Sequence, residues 1–245
     1  MKLCAFASRV TKELLRDPLT FAFGLAFPLL LLGLMALIQS SVPVPLFELT
    51  SLTPGISVFG LSFFTLFSGS LLAKDRESAL LARLSTTPMT TADFLLGYTL
   101  PLLPMAAMQG CVCYLAALLL GLRPTLRLIP VILSLIPIAL LYTSIGLIFG
   151  AILSVTQLGF ICGGLFINLS AWVSGAWLDL DWMGRGFRCV TNLLPFAHIV
   201  RLERGILSGE ALKSLLPHML WIVGYTLLTG VLAIGLFLRR VRKPS

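Results

Sequence analysis

Residues Lys74 to Asp93, KDRESALLARLSTTPMTTAD, gather acidic, basic and hydroxyl side chains into an island of about twenty residues between two long apolar runs. Leu80, Leu81 and Leu84 recur at helical spacing on one side, and Lys74, Arg76, Glu77 and Arg83 form the polar remainder. Pro88 has no N–H and disfavours helix at Thr87, so it ends the segment, and Thr90 with Asp93 can cap the helix that follows. The chemistry such a set can do is recognition. A chain that only reversed direction here would need a handful of residues, so the spacing predicts a short helix outside the lipid, offered to a partner in the cytoplasm. The alternative is a solvated loop whose charges hold it on that side.

Other chemistry finds little support. A phosphate-cradling loop ends in Gly-Lys-Ser/Thr, and no lysine in this chain follows a glycine. A proton- or sodium-coupled carrier keeps an ionisable group near the bilayer middle, and the central turns of the apolar runs hold none. His198 and His218 are the only histidines and lack the His-Glu-x-x-His pattern of a hydrolytic zinc site. The five cysteines, with Cys111, Cys113 and Cys162 inside apolar runs, show neither metal-ligand nor disulfide spacing and read as packing residues.

The elements that must position the island follow from hydropathy. With 58% hydrophobic and 11% charged residues among 245, the chain reads as an all-α polytopic membrane protein, a single transmembrane unit over 1–245. Residues 1–17 place Leu3, Phe6, Val10 and Leu14 opposite Lys2, Arg9, Glu13 and Arg16, the pattern of an interfacial amphipathic helix. Spans are expected at about 21–38, 54–73, 94–120, 128–153, 157–178 and 218–238. Pro28 predicts a kink in the first, and Pro101 with Pro104 a bend in the third. Gly146 and Gly150 in the fourth, with Gly159 and Gly163 in the fifth, predict close packing of those two neighbours. Gln109 and Asn168 are expected to bond across helices, and the Trp residues at 172, 177 and 182 to anchor at the interface.

Residues 186–208 are too short and too charged to span. They are expected to dip into or lie on the outer interface, with Leu194, Ile199, Leu202 and Ile206 on one side and Arg201 and Arg204 on another. Those two arginines either snorkel to headgroups or help close an outer gate. Both chain ends are dense in Lys and Arg, which predicts cytoplasmic termini and hence an even number of spans, and the net charge of +8 reads as topology signals and lipid contacts rather than a nucleic-acid footprint.

The run Asp75-Arg76-Glu77-Ser78-Ala79-Leu80-Leu81-Ala82-Arg83-Leu84-Ser85-Thr86-Thr87-Pro88 resembles the signature between the second and third spans of the type 2 ATP-binding-cassette permeases. The acid-base-acid start, Leu81, Arg83, Leu84, Thr87 and Pro88 match. Ala79, Leu80, Ala82 and Ser85 depart from the family's usual residues, and Asp75 replaces a Glu. The resemblance implies a coupling helix at about 74–88 that docks on a separate ATP-binding-cassette ATPase subunit through Asp75, Arg76, Glu77, Leu81, Arg83, Leu84, Thr87 and Pro88. It also implies an outer re-entrant pair in which Asn192, Pro195 and Arg201 are gate candidates. A second permease subunit, identical or related, would enclose the path. ATP and Mg²⁺ would sit on the ATPase, with no cofactor or catalytic site on this chain, and export from a multi-pass position in the cell membrane would be the activity. A membrane-embedded immunity or interaction protein without transport activity is the rival expectation.

Overall fold

The structure is a computed structural model and describes residues 2–41, 44–78, 80, 90–176 and 180–242. It is all-helical, with no strand among the described residues. Helix α1 (Lys2–Arg16) closes where Asp17 takes over as N-cap, its side chain accepting from Leu19 N, and Pro18 opens α2 (Pro18–Ser41). Pro28 cannot donate to the preceding turn, and α2 widens into a π-helical stretch at Ala22–Ala26 just before it. A short 3₁₀ turn, Pro45–Phe47, leads into α3 (Leu49–Glu77).

Helix α3 has 29 residues, which at about 1.5 Å each is longer than a hydrocarbon core of about 30 Å. A helix of that length overhangs such a core. This differs from the expected start of a separate helix at Lys74: Asp75, Arg76 and Glu77 extend the second span, and Ser78 ends it by donating its N–H to the Lys74 carbonyl. Leu80 is again helical, and Ala79 and residues 81–89 lie outside the described part.

Thr90 and Asp93 form the expected capping box at the start of α4 (Thr91–Thr99). The chain breaks at Leu100 and Pro101 before α5 (Leu102–Leu119), as the prolines require. Next come α6 (Leu128–Ile152) and, after a two-residue turn capped by Ser154 and Gln157, α7 (Val155–Ser174), π-helical over Gly159–Phe166. Gly175, at φ 75°, terminates it. Two short helices, α8 (Gly184–Leu193) and α9 (Pro195–Ser208), form a hairpin, and α10 (Leu212–Arg242) finishes the fold. Helices α2, α3, α4 with α5, α6, α7 and α10 are long and apolar enough to make six membrane crossings.

Helix α3 is the central post, buried along nearly its whole length and packed by α2, α5, α6, α7 and α9. Its closest neighbour is α6, because small residues face each other. A Cβ on Gly150 would lie 2.5 Å from the Gly69 carbonyl, and one on Gly146 would collide with Ser68 Oγ and the Thr65 carbonyl. Thr65 donates across the seam to the Tyr142 carbonyl at 3.1 Å, and the Ser68 hydroxyl, 2.7 Å from the Phe64 carbonyl of its own helix, lies 3.1 Å from the Thr143 carbonyl across it. The glycines at 146 and 150 thus serve the second span rather than the fifth, which corrects the expected α6–α7 pairing. Chain proximity misled there: Gly159 and Gly164 face open space and Gly163 only meets Leu66 at 3.7 Å. Gln109 does bond across helices, its Nε2 donating to Ser57 O at 3.2 Å, whereas Asn168 is exposed and donates within its own helix to Gly164 O.

Both chain ends lie on one face. Phe94 at the start of α4 lies 5.6 Å from Phe6 of α1 and 5.7 Å from Phe237 near the end of α10. We refer to this as the terminal face and to the opposite side, which carries α8 and α9, as the hairpin face.

Gly150→Ala should push α3 and α6 apart and lower stability by about 1–3 kcal/mol, whereas Gly159→Ala should leave it unchanged or slightly higher. Thermal unfolding in detergent reads both.

Candidate functional site

The described part of the charged island is a polar knot in which three consecutive residues reach four other helices. Because successive helical residues point about 100° apart, the last turn of α3 sends Asp75 one way, Arg76 another and Glu77 a third. Asp75 is buried and receives both terminal nitrogens of Arg9, Nη1 at 2.7 Å and Nη2 at 2.5 Å, and the Tyr98 hydroxyl at 2.7 Å. Arg9 also pairs with Glu13 one turn along α1, and its guanidinium lies 5.8 Å above the Phe6 ring. A bidentate contact to a buried carboxylate is among the stronger forms of ion pairing. That hydrogen bond holds the Arg9 guanidinium further above its already high ordinary pKa.

Arg76 turns toward the end of the fourth crossing. Its two terminal nitrogens donate to the Ala151 and Leu153 carbonyls, each at 2.6 Å, where α6 has run out of N–H partners. Glu77 accepts the Val155 N–H at 2.9 Å, at the start of α7, where unpaired N–H groups favour an anion. The base thus meets a helix C-terminus and the acid a helix N-terminus. Asp75, Arg76 and Glu77 together clamp α1, α4, α6 and α7 around the end of α3.

Helix α1 has its apolar side covered by protein. Phe6, Val10 and Leu14 are buried in the main core, Phe6 edge-on to Phe94 and to Tyr98 at 5.1 Å. The expected interfacial helix therefore docks on α4, with Arg9 inward toward Asp75. Periodicity shows that a face is apolar, not whether lipid or a neighbouring helix covers it. Among the other expected docking residues, Leu81, Arg83, Leu84, Thr87 and Pro88 lie outside the described residues.

On the hairpin face the three gate candidates come together at the α8–α9 corner. Arg201 Nη1 donates to Asn192 Oδ1 at 2.7 Å, and Pro195 occupies the first turn of α9, where a missing N–H costs nothing. His198 Nε2 lies 2.9 Å from the Asn192 carbonyl, which can only accept, so that nitrogen carries the proton. Its Nδ1 then accepts from His218 Nδ1 at 2.7 Å, joining α9 to α10, and Trp221 stacks on the His198 ring. Burial is the main cause holding His198 below its ordinary pKa, with Arg201 acting the same way, while the Asn192 hydrogen bond opposes it. Arg204 donates to the Ser51 carbonyl at the start of α3 and to the Gly175 carbonyl at the end of α7, and Arg127 donates to the Ser208 carbonyl at the end of α9.

Helix α9 is largely buried among α3, α6, α7 and α10, deeper than an element resting on the interface. Sequence reasoning missed Arg9 and Tyr98 as partners of Asp75, and it missed Glu203. Helical arithmetic carried the last signal, since Glu203 lies four residues after Ile199 and shares its inward side.

Six crossings around a central post, with a polar knot at one end and a packed hairpin at the other, define a multi-pass all-helical membrane protein. Residues 1–207 match the family model for the ABC-2 type transporter, and the chain belongs to that family as a transmembrane permease subunit. A search of curated proteins returned no match.

Tyr98→Phe should remove one charge-assisted bond to Asp75 and lower stability by about 1.5–3 kcal/mol. Arg9→Lys, which cannot reproduce the fork, should free α1, read as faster hydrogen exchange over Lys2–Arg16 with the rest of the chain unchanged.

Proposed function

We propose that this chain is the permease subunit of an exporter powered by ATP hydrolysis on a separate ATP-binding-cassette ATPase. In this reading ATP and Mg²⁺ stay on the partner, and no cofactor or catalytic site belongs to this chain. The terminal face, with both chain ends, is cytoplasmic. A second permease copy or a related subunit encloses the path, and the exposed apolar side chains of α2, α7 and α10, such as Leu30, Leu165 and Val231, meet lipid or that copy. Asp75, Arg76, Glu77, Leu81, Arg83, Leu84, Thr87 and Pro88 receive the ATPase, and Asn192, Pro195 and Arg201 belong to the gate on the outer side.

The observation that carries this reading is the knot at Asp75-Arg76-Glu77. A partner that moves this segment moves the ends of four other helices with it, because each is tied there by a hydrogen bond, an ion pair or continuous chain. Nucleotide can drive such movement only if it binds the two arrangements with different affinity. The departures at Ala79, Leu80, Ala82 and Ser85 leave the charged start of the signature intact, and it is the charged start that forms the knot.

Co-expression with an ATP-binding-cassette ATPase encoded beside this gene should give a complex that co-purifies and whose ATPase rate depends on the permease. Replacing Glu77 and Arg83 together by Ala should abolish that dependence while membrane insertion persists. Unchanged stimulation would remove the docking assignment.

A further inference from the structure

Glu203 stands apart from the residues used so far. Its side chain, on α9, is fully buried, and its Oε1 lies 2.6 Å from Ser134 Oγ of α6. The same Ser134 Oγ lies 2.7 Å from the Val131 carbonyl of its own helix. A serine hydroxyl has one hydrogen, a backbone carbonyl has none to give, and an ionised carboxylate has none either. One hydrogen cannot make two short bonds. Both contacts are satisfied together only when Glu203 supplies a proton of its own, Oε1–H donating to Ser134 Oγ and Ser134 Oγ–H donating to Val131 O.

The surroundings agree. Among the described residues Glu203 Oε2 has no hydrogen-bond partner. A carboxylate with one bare oxygen and no cation against it is far more costly to bury than a neutral acid. Among the described residues the neighbouring elements supply no cation to it. Helix α6 faces it with Ser134. Arg127, which caps that helix, is spent on the carbonyls at the end of α9. Helix α5 contributes Tyr114, and α7 has Cys162 as its only titratable residue. Arg204, next in sequence, binds the Ser51 and Gly175 carbonyls. Arg185 and Arg188 of α8 are exposed, and α10 faces the other side of α9 through the His198–His218 contact.

We infer that Glu203 is a proton-binding site, loaded while α9 is packed on α6 and emptied to water on the hairpin face when α9 moves away. Departure of the proton leaves a carboxylate that must be hydrated, so ionisation and release of α9 are one event. Burial pushes the carboxyl up to about 8, with the Ser134 bond opposing it. In open water it would return to about 4.3. The packed arrangement therefore holds its proton-linked advantage in full below about pH 4 and loses it as pH rises through about 8. His198 works in the opposite sense: its pKa is held down by burial, so its contact with α10 weakens on acidification, and the two effects separate along the pH axis. This proton site does not depend on the ATPase or on which face is cytoplasmic.

The test uses the full chain in lipid nanodiscs. Infrared spectra at neutral pH should show a protonated-carboxyl C=O band that Glu203→Gln removes and that disappears from the native protein as pH is raised through about 8. Ser134→Ala should shift the band, because the acid O–H loses its acceptor; this variant and the native titration decide the matter if Glu203→Gln does not fold. Spin labels at the exposed Val190 of α8 and Leu119 of α5 should separate at alkaline pH in the native protein and stay fixed in Glu203→Gln. A missing band, a band that survives Glu203→Gln or is unmoved in Ser134→Ala, or a label distance indifferent to pH overturns the inference.

Discussion

The structure depends on one buried carboxylate. Asp75 lies at the end of the longest buried helix, where leaving it unpaired would cost several kcal/mol, and its two oxygens are filled by Arg9 from the first helix and Tyr98 from the third crossing. That requirement fixes where α1 lies, because only with Phe6, Val10 and Leu14 against α4 does Arg9 reach inward. The two neighbours of Asp75 use the same economy of position, Arg76 on carbonyls that α6 cannot satisfy and Glu77 on an N–H that α7 cannot.

Much of this architecture was legible in the chain. Apolar runs of bilayer length gave six crossings, and Pro101, the Thr90–Asp93 pair and the Ser154–Gln157 pair marked breaks and caps that the structure contains. What escaped was contact between elements distant in sequence. Gly146 and Gly150 announce that some backbone approaches closely, yet nothing in their spacing tells that Gly69 rather than Gly159 is opposite. Arg9 was readable as the polar side of an amphipathic helix, and its charge alone gave no reason to prefer a buried Asp over lipid headgroups. Glu203 lay hidden because a charged residue among arginines reads as solvated, and only its place one turn after Ile199 contradicts that.

The helix ends show a common physical logic on both faces. Every crossing helix leaves carbonyls or N–H groups without intrahelical partners, and this chain answers with long side chains from other elements: Arg76 for the end of α6, Arg204 for the end of α7, Arg127 for the end of α9. Arginine suits the task because its fork spans two acceptors and its charge meets the negative end of the helix dipole. Arg127 and Arg204 on the hairpin face have structural employment there. Arg127 and Arg204 are not loose topology signals, since each is bound to a helix terminus.

The same helix carries both ends of this arrangement. Helix α3 holds the Asp75 knot at its last turn and, one helix length away, offers the Ser51 carbonyl to Arg204 of the buried hairpin. Along the way its small residues admit α6 so closely that neither helix can slide without displacing Ser68 or Thr65 from the carbonyls they meet across the seam. Packed interiors move as discrete bodies rather than deforming smoothly. A displacement of α3 imposed at the knot thus reaches α9 through rigid helix and paired hydrogen bonds, and α9 is where Glu203 and His198 sit. In the proposed transport cycle, mechanical input at one end and protonation at the other act on one post, so each biases the arrangement that the other prefers.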